Sequence, residues 1–166
     1  SRLIARTNQK TEQYAVRPQQ IKFEVTEHDA VFNMEELTHV ELPYPEWDAK
    51  NLFVRDDKKK NYYLITVKGN QRVDLKAFRK QHGLRNLSFA SPEDLLAMMN
   101  LKPGSVSPLG VLNDDKRCVH FYLDVQFKGQ KIGIHPNENT ATIWMNTDDL
   151  VALIQKYGND VTFVEI

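Results

Sequence analysis

The chain has 166 residues, 22 of them Lys or Arg and 22 Asp or Glu, for a formal net charge of zero. That length suits one domain with a proper core and is short for two, and 41% hydrophobic with 10% aromatic residues excludes an intrinsically disordered chain. No apolar run approaches the ~18 residues that a membrane-spanning helix needs, and zero net charge argues against a generic nucleic-acid coat.

Residues 1–20 are polar and read as a helical or partly disordered extension. The opening Ser1-Arg2-Leu3-Ile4-Ala5-Arg6 lacks the apolar core of a secretory signal. Ile21 to Val25 alternates apolar and polar residues, the pattern of a strand. Asn33 with Glu36 three positions on predicts a helix start, and Pro43 and Pro45 stop that helix. Ala49 to Asp57 and Tyr62 to Val67 are β-rich runs flanking the polar turn Lys58-Lys59-Lys60-Asn61, the signature of a hairpin.

Asp74 then caps a helix through Leu75, Phe78 and Lys80, with Gly83 as terminator. Leu87 to Phe89 reads as a brief strand. Ser91-Pro92-Glu93-Asp94 supplies an N-cap, a proline at the first helical position and acids in the first turn. Its methionines, Met98 and Met99, read as core. Gly104 to Pro108 is a loop and Leu109 to Leu112 a predicted strand. A longer strand runs through Cys118, His120, Tyr122 and Asp124, another follows through Ile132 and Ile134, and a third covers Thr140 to Met145. Asn146 or Thr147 caps a last helix ended by Gly158, and Val161 to Ile166 closes as a strand. Strands joined by tight turns with helices interspersed irregularly give an α+β class on a mainly antiparallel sheet.

The single cysteine, Cys118, excludes an internal disulfide and fits a reducing, cytoplasmic location; its apolar surroundings read as a buried structural thiol. Charge is unevenly spread. Between Lys50 and Arg85 stand 11 Lys or Arg against 3 Asp or Glu, a balance of +8, and the remainder carries −8. Such a chain can turn one basic face to a phosphate backbone. The plainer reading is that these lysines solvate a hairpin tip and a helix face.

The common enzyme signatures GxxxxGK[ST], GxSxG and HExxH are missing, as is a cysteine pair for zinc. The five histidines, at 28, 39, 82, 120 and 135, have no metal-ligand spacing. No metal and no cofactor is expected.

Three separated segments nonetheless stand in an order that resembles the prolyl-tRNA synthetase-associated editing family (YbaK/ProX-like). They are Ala49-Lys50-Asn51-Leu52-Phe53, the GxxxP loop Gly104-Ser105-Val106-Ser107-Pro108, and His135-Pro136 with the residues to Thr142. The likeness spans roughly Ile21 to Ile166 and is greatest to the free-standing alanyl-tRNA(Pro) deacylases. It implies one editing domain over residues 1–166, with a mixed, partly barrel-like sheet flanked by helices.

The resemblance also implies roles. Lys50, Gly104 and His135 would be catalytic: Lys50 holding the terminal adenosine or phosphate of the substrate, Gly104 letting loop amides approach the ester carbonyl, His135 lining the aminoacyl pocket or orienting water. Asn51, Ser105, Ser107, Pro108 and His28 would contact substrate, and Lys58, Lys59 and Lys60 the tRNA backbone. The expected activity is hydrolysis of mischarged alanyl-tRNA(Pro), with that tRNA as partner and prolyl-tRNA synthetase as a further candidate. A non-catalytic module binding tRNA or the synthetase, and a deacylase for cysteine or serine, are the competing readings.

Overall fold

The computed structural model describes residues 23–27, 42–136 and 140–166. The expected extension over residues 1–20, the helix from Asn33 and the position of His28 lie outside the described residues. Strand β1 (Phe23–Glu27) is followed by β2 (Ala49–Asp56), β3 (Tyr62–Lys68), helix α1 (Leu75–His82), β4 (Leu87–Phe89) and α2 (Pro92–Met99). Then come β5 (Val119–Asp124), β6 (Lys131–Ile134), β7 (Ala141–Asn146), α3 (Thr147–Lys156) and β8 (Val161–Val164).

The expected hairpin is the centre of the larger sheet, ordered β4-β2-β3-β5-β8. Strand β2 runs antiparallel to β3 and β4, while β5 is parallel to β3 and β8. Its turn is built by buried Asp56, whose carboxylate accepts hydrogen bonds from the Lys60 amide at 2.9 Å and Asn61 Nδ2 at 3.0 Å. Six of the seven residues of β3 are buried, as befits a strand covered on both faces. A second sheet, β1-β7-β6, is wholly antiparallel.

Alternation along the strands decides the two cores. On one face Phe53, Leu64, Phe121 and Leu123 meet Ile132, Ile134, Ile143 and Met145 of the small sheet, closed in by Leu95 and Met99 of α2 and by Leu150 and Ile154 of α3. On the other face Val54, Tyr63, Ile65 and Val67 pack with Phe78 of α1. Each such side chain buried in full contributes roughly 1.5–3 kcal/mol. The helix starts follow the sequence closely. Asp74 accepts from the amides of Lys76 and Ala77, Gly83 ends α1 at φ +66°, and Ser91 Oγ accepts from the Asp94 amide. Asn146 precedes α3 without a side-chain cap bond.

Three expectations need correction. The two sheets face each other and are joined at an isolated parallel bridge between Asp48 and Gly133, but they do not close into a barrel. Residues Pro108–Asn113 form a 3₁₀ helix rather than a strand. Pro108 sets the first helical φ, Ser107 Oγ caps the Leu109 amide, and Gly110 is pressed so near the end of α2 that a Cβ would lie 2.8 Å from Met99 Cε and 2.5 Å from Leu101 Cδ1 just beyond it. Cys118 is half-buried and outside β5, because Arg117 turns at φ +55° and Asp114 takes the Val119 amide at 2.7 Å, starting the strand there.

Candidate active site

The register of the central hairpin pairs Asn51 with Thr66 on the face turned toward the small sheet. Thr66 is fully buried, and its hydroxyl donates to Asn51 Oδ1 at 2.6 Å. That bond fixes which end of the Asn51 amide points where, leaving Nδ2 to donate to the Val106 carbonyl at 3.3 Å. A strand residue thus reaches a loop 55 positions away. Asn51 does not bond its own backbone, as a strand-entrance asparagine commonly would.

The loop from Gly104 to Pro108 is itself tied down. Gly104 takes φ +89°, a conformation that favours glycine, and the Ser105 amide donates to the Lys102 carbonyl at 3.1 Å. Ser107 is fully buried; its hydroxyl accepts from the Leu109 amide at 3.2 Å and donates to the main-chain carbonyl of His135 at 2.5 Å. Pro108 is buried as the first residue of the 3₁₀ turn. Ser107 and Pro108 therefore act as framework, whereas Gly104, Ser105 and Val106 keep partial exposure. Among the described residues, the Val106 and Ser107 amides donate to no acceptor.

His135 follows the end of β6. Its Nδ1 lies 3.0 Å from the Ala141 carbonyl, which can only accept, so Nδ1–H is the donor there. Asn51, the GxxxP loop and His135 are thus joined by two hydrogen bonds. Lys50 stands beside them differently. It is half-buried, and unbroken pairing along β2 places it on the face of Leu52 and Val54, opposite Asn51. The Asp48–Gly133 bridge is parallel, so Lys50 and His135 each lie two residues beyond it on adjoining segments.

Lys58, Lys59 and Lys60 are exposed at the hairpin tip. Five steps of strand run from Asn51 to Asp56, about 17 Å at the usual rise, and the turn that carries Lys58 lies beyond. The three lysines do not belong to the Asn51–His135 constellation.

Two residues near the site escaped the sequence reading. Thr66 was legible only through the hairpin register, which sets it opposite Asn51. Asp48, 4% exposed, has a carboxyl oxygen, Oδ2, without a hydrogen-bond partner among the described residues. Burial pushes its pKa up to about 7. A lone Asp before Ala49-Lys50 gives no such hint. Among the described residues no group of three His, Cys, Asp or Glu side chains could hold a metal ion, and no helix is long and apolar enough to cross a membrane.

Comparison with known proteins addresses the same segments. The profile of the aminoacyl-tRNA editing domain matches residues 28–153. The prolyl-tRNA editing protein ProX of Acetoanaerobium sticklandii is 35% identical over 147 residues, covering 88% of this chain and 90% of that protein. Prolyl-tRNA synthetase associated domain-containing protein 1 of Mus musculus is 35% identical over 145 residues, covering 84% of this chain and 85% of that one. A crystal structure assigned as a candidate trans-editing enzyme for prolyl tRNA synthetase superposes with a TM-score of 0.66 over 98% of this chain and 96% of that one, at 22% identity, and so has the same fold. On the extent of these matches, the chain belongs to the aminoacyl-tRNA editing domain family.

Proposed function

We propose that this chain, an aminoacyl-tRNA editing enzyme by family, hydrolyses the ester of tRNA(Pro) mischarged with alanine. The observation that carries the reading is the pair of bonds Asn51–Val106 and Ser107–His135, which hold three sequence-distant motifs in one constellation. An aminoacyl ester is already activated, so positioning and charge stabilisation suffice and no strong nucleophile is required.

In this mechanism water adds to the ester carbonyl carbon, assisted by the 2′-hydroxyl of the terminal ribose. The carbonyl oxygen gains negative charge facing amides of the Gly104–Pro108 loop, and a donor so placed is worth ~3 kcal/mol in known acyl-transfer enzymes. The bond to the ribose oxygen then breaks, that oxygen takes up a proton, and alanine and uncharged tRNA leave. Asn51 positions the loop that carries those amides. His135, with Nδ1–H held by the Ala141 carbonyl, lines the aminoacyl pocket or orients the attacking water. Lys50, two residues beyond the Asp48–Gly133 bridge, anchors the terminal adenosine or its phosphate. Prolyl-tRNA is spared because the pocket is too small for its ring, and steric exclusion of a larger group discriminates well.

Single-turnover deacylation of alanyl- and prolyl-tRNA(Pro), with cysteinyl- and seryl-tRNA alongside, tests this. Rapid loss of alanine with prolyl-tRNA intact is expected. Turnover confined to cysteine or serine would move the specificity, and no turnover of any would leave a binding module.

A further inference from the structure

The cationic side chains of this fold are not spent evenly on ion pairs. Arg85 is paired with Asp57, Nε to Oδ1 at 2.5 Å and Nη2 to Oδ2 at 3.3 Å. Lys76 and Arg79 of α1 have no ion-pair partner among the described residues. With Lys80 they share one helix face by i, i+3, i+4 spacing, and α1 contains no acidic residue. Between α1 and β4 lies a cleft of about 260 Å³ lined by Leu75, Lys76, Arg79, Asn86 and Leu87. Leu75 and Leu87 pack against the second core and form an apolar floor; Lys76, Arg79 and the Asn86 amide form a polar rim.

We propose that this cleft seats the sugar-phosphate backbone of an RNA duplex, the acceptor arm of the substrate. The inference rests on the editing reading above and adds to it a second contact surface remote from the ester. The volume falls just below the ~300 Å³ at which small-molecule pockets begin, which suits one ribose-phosphate unit better than a whole cofactor. Register connects the cleft to the hairpin tip. Leu87 pairs with Asp56 across β4 and β2, next to Lys58, Lys59 and Lys60. The two acids there are occupied, Asp56 by the Lys60 main-chain amide and Asn61 Nδ2 and Asp57 by Arg85, so the stripe from the tip lysines to Lys76 and Arg79 presents cations outward. Asp74, at the start of α1, has its carboxylate engaged by the Lys76 and Ala77 amides. A phosphate row on a duplex meets such a stripe with several charge-assisted contacts and releases its counterions.

The test uses the full chain with two probes, an uncharged RNA hairpin reproducing the acceptor stem and alanyl-adenosine, which carries the ester but no duplex. The double variant Lys76→Gln, Arg79→Gln should bind the hairpin on the order of tenfold more weakly near 0.1 M salt, with a log–log salt slope shallower by roughly 1.8. Its hydrolysis of alanyl-adenosine should be unchanged. Asn86→Asp, which leaves α1 intact and sets a carboxylate in the cleft, should weaken hairpin binding as well. Unchanged affinity and slope in both variants would overturn the cleft, as would an equal loss on both probes. If the parent protein hydrolysed no aminoacyl ester, the editing reading would fail while hairpin binding still decided the cleft.

Discussion

The Ser107 hydroxyl donates to the main-chain carbonyl of His135 at 2.5 Å while accepting from the Leu109 amide. A single buried side chain thereby fixes the GxxxP loop to the segment that carries the histidine. Sequence proximity has no part in this, since 28 positions separate the two residues.

Ser107→Ala should accordingly act on stability and catalysis together. Losing the cap and the bond to the His135 carbonyl costs about 1–3 kcal/mol, and each kcal/mol lowers the melting temperature of a chain this size by about 2–4 °C. Deacylation should fall because loop and histidine no longer share a register. Thermal melts and single-turnover rates check it; a full-rate variant would show that the loop holds its shape without the bond.

Thr66→Val keeps the volume of a fully buried side chain and removes only the donor to Asn51 Oδ1. Without it the Asn51 amide has no fixed orientation toward Val106. A loss of ~1 kcal/mol in transition-state stabilisation, about fivefold in rate, is expected. In a double-mutant cycle with Asn51→Ala, the second change should cost little after the first. Fully additive effects would mean that the two side chains act separately.

The hairpin, the caps of α1 and α2 and the brief strand β4 were all readable, because each rests on local chemistry: alternation, Asp74, Ser91-Pro92, Gly83. The 3₁₀ turn at Pro108–Asn113 was not, since four apolar-rich residues read equally as a short strand until α2 is known to press on Gly110. The candidate site shows the same division. Asn51, Gly104 and His135 were proposed by motif, but Thr66 needed the register, and Asp48 needed the bridge beside it.

In the proposed mechanism Lys50 anchors the terminal nucleotide and His135 shapes the pocket. Lys50→Ala should lose most deacylation, since a charged contact to the terminal nucleotide also orients the ester. His135→Ala should lose less, or admit prolyl-tRNA, because one of its ring nitrogens is already committed to Ala141. Neither change should unfold the protein. Rates on alanyl- and prolyl-tRNA(Pro) measured beside thermal melts decide it, and an undiminished rate in Lys50→Ala would remove that residue from the site.

Lys58, Lys59 and Lys60 extend from the tip, far from Asn51, and so should affect binding without affecting the ester. Changing all three to glutamine should weaken tRNA binding and flatten its salt dependence, with no change on alanyl-adenosine. A parental salt slope would return them to the role of a solvated tip.

Asp48 sets a pH dependence whose sign is opposite to that of most carboxylates. Burial raises its pKa from 3.8 to about 7, so between those values the folded chain holds a proton that the unfolded chain has released. Stability from this group is therefore fully present below pH 4 and is lost as pH rises toward 7, to a ceiling of about 4 kcal/mol for a shift of some three units. Asp56, at the other end of β2, works the other way: burial opposes its charge, but bonds from Asn61 and the Lys60 and Asn61 backbone outweigh that and hold its pKa low, so its contribution is lost on acidification. Asp48→Asn removes the first effect alone. Melts at pH 4.5, 6 and 8 should show the variant gaining on the parent as pH rises, by less than the ceiling because part of the loss is already complete at pH 4.5. A difference that stayed constant across the three pH values would mean that Asp48 titrates like an ordinary surface carboxylate.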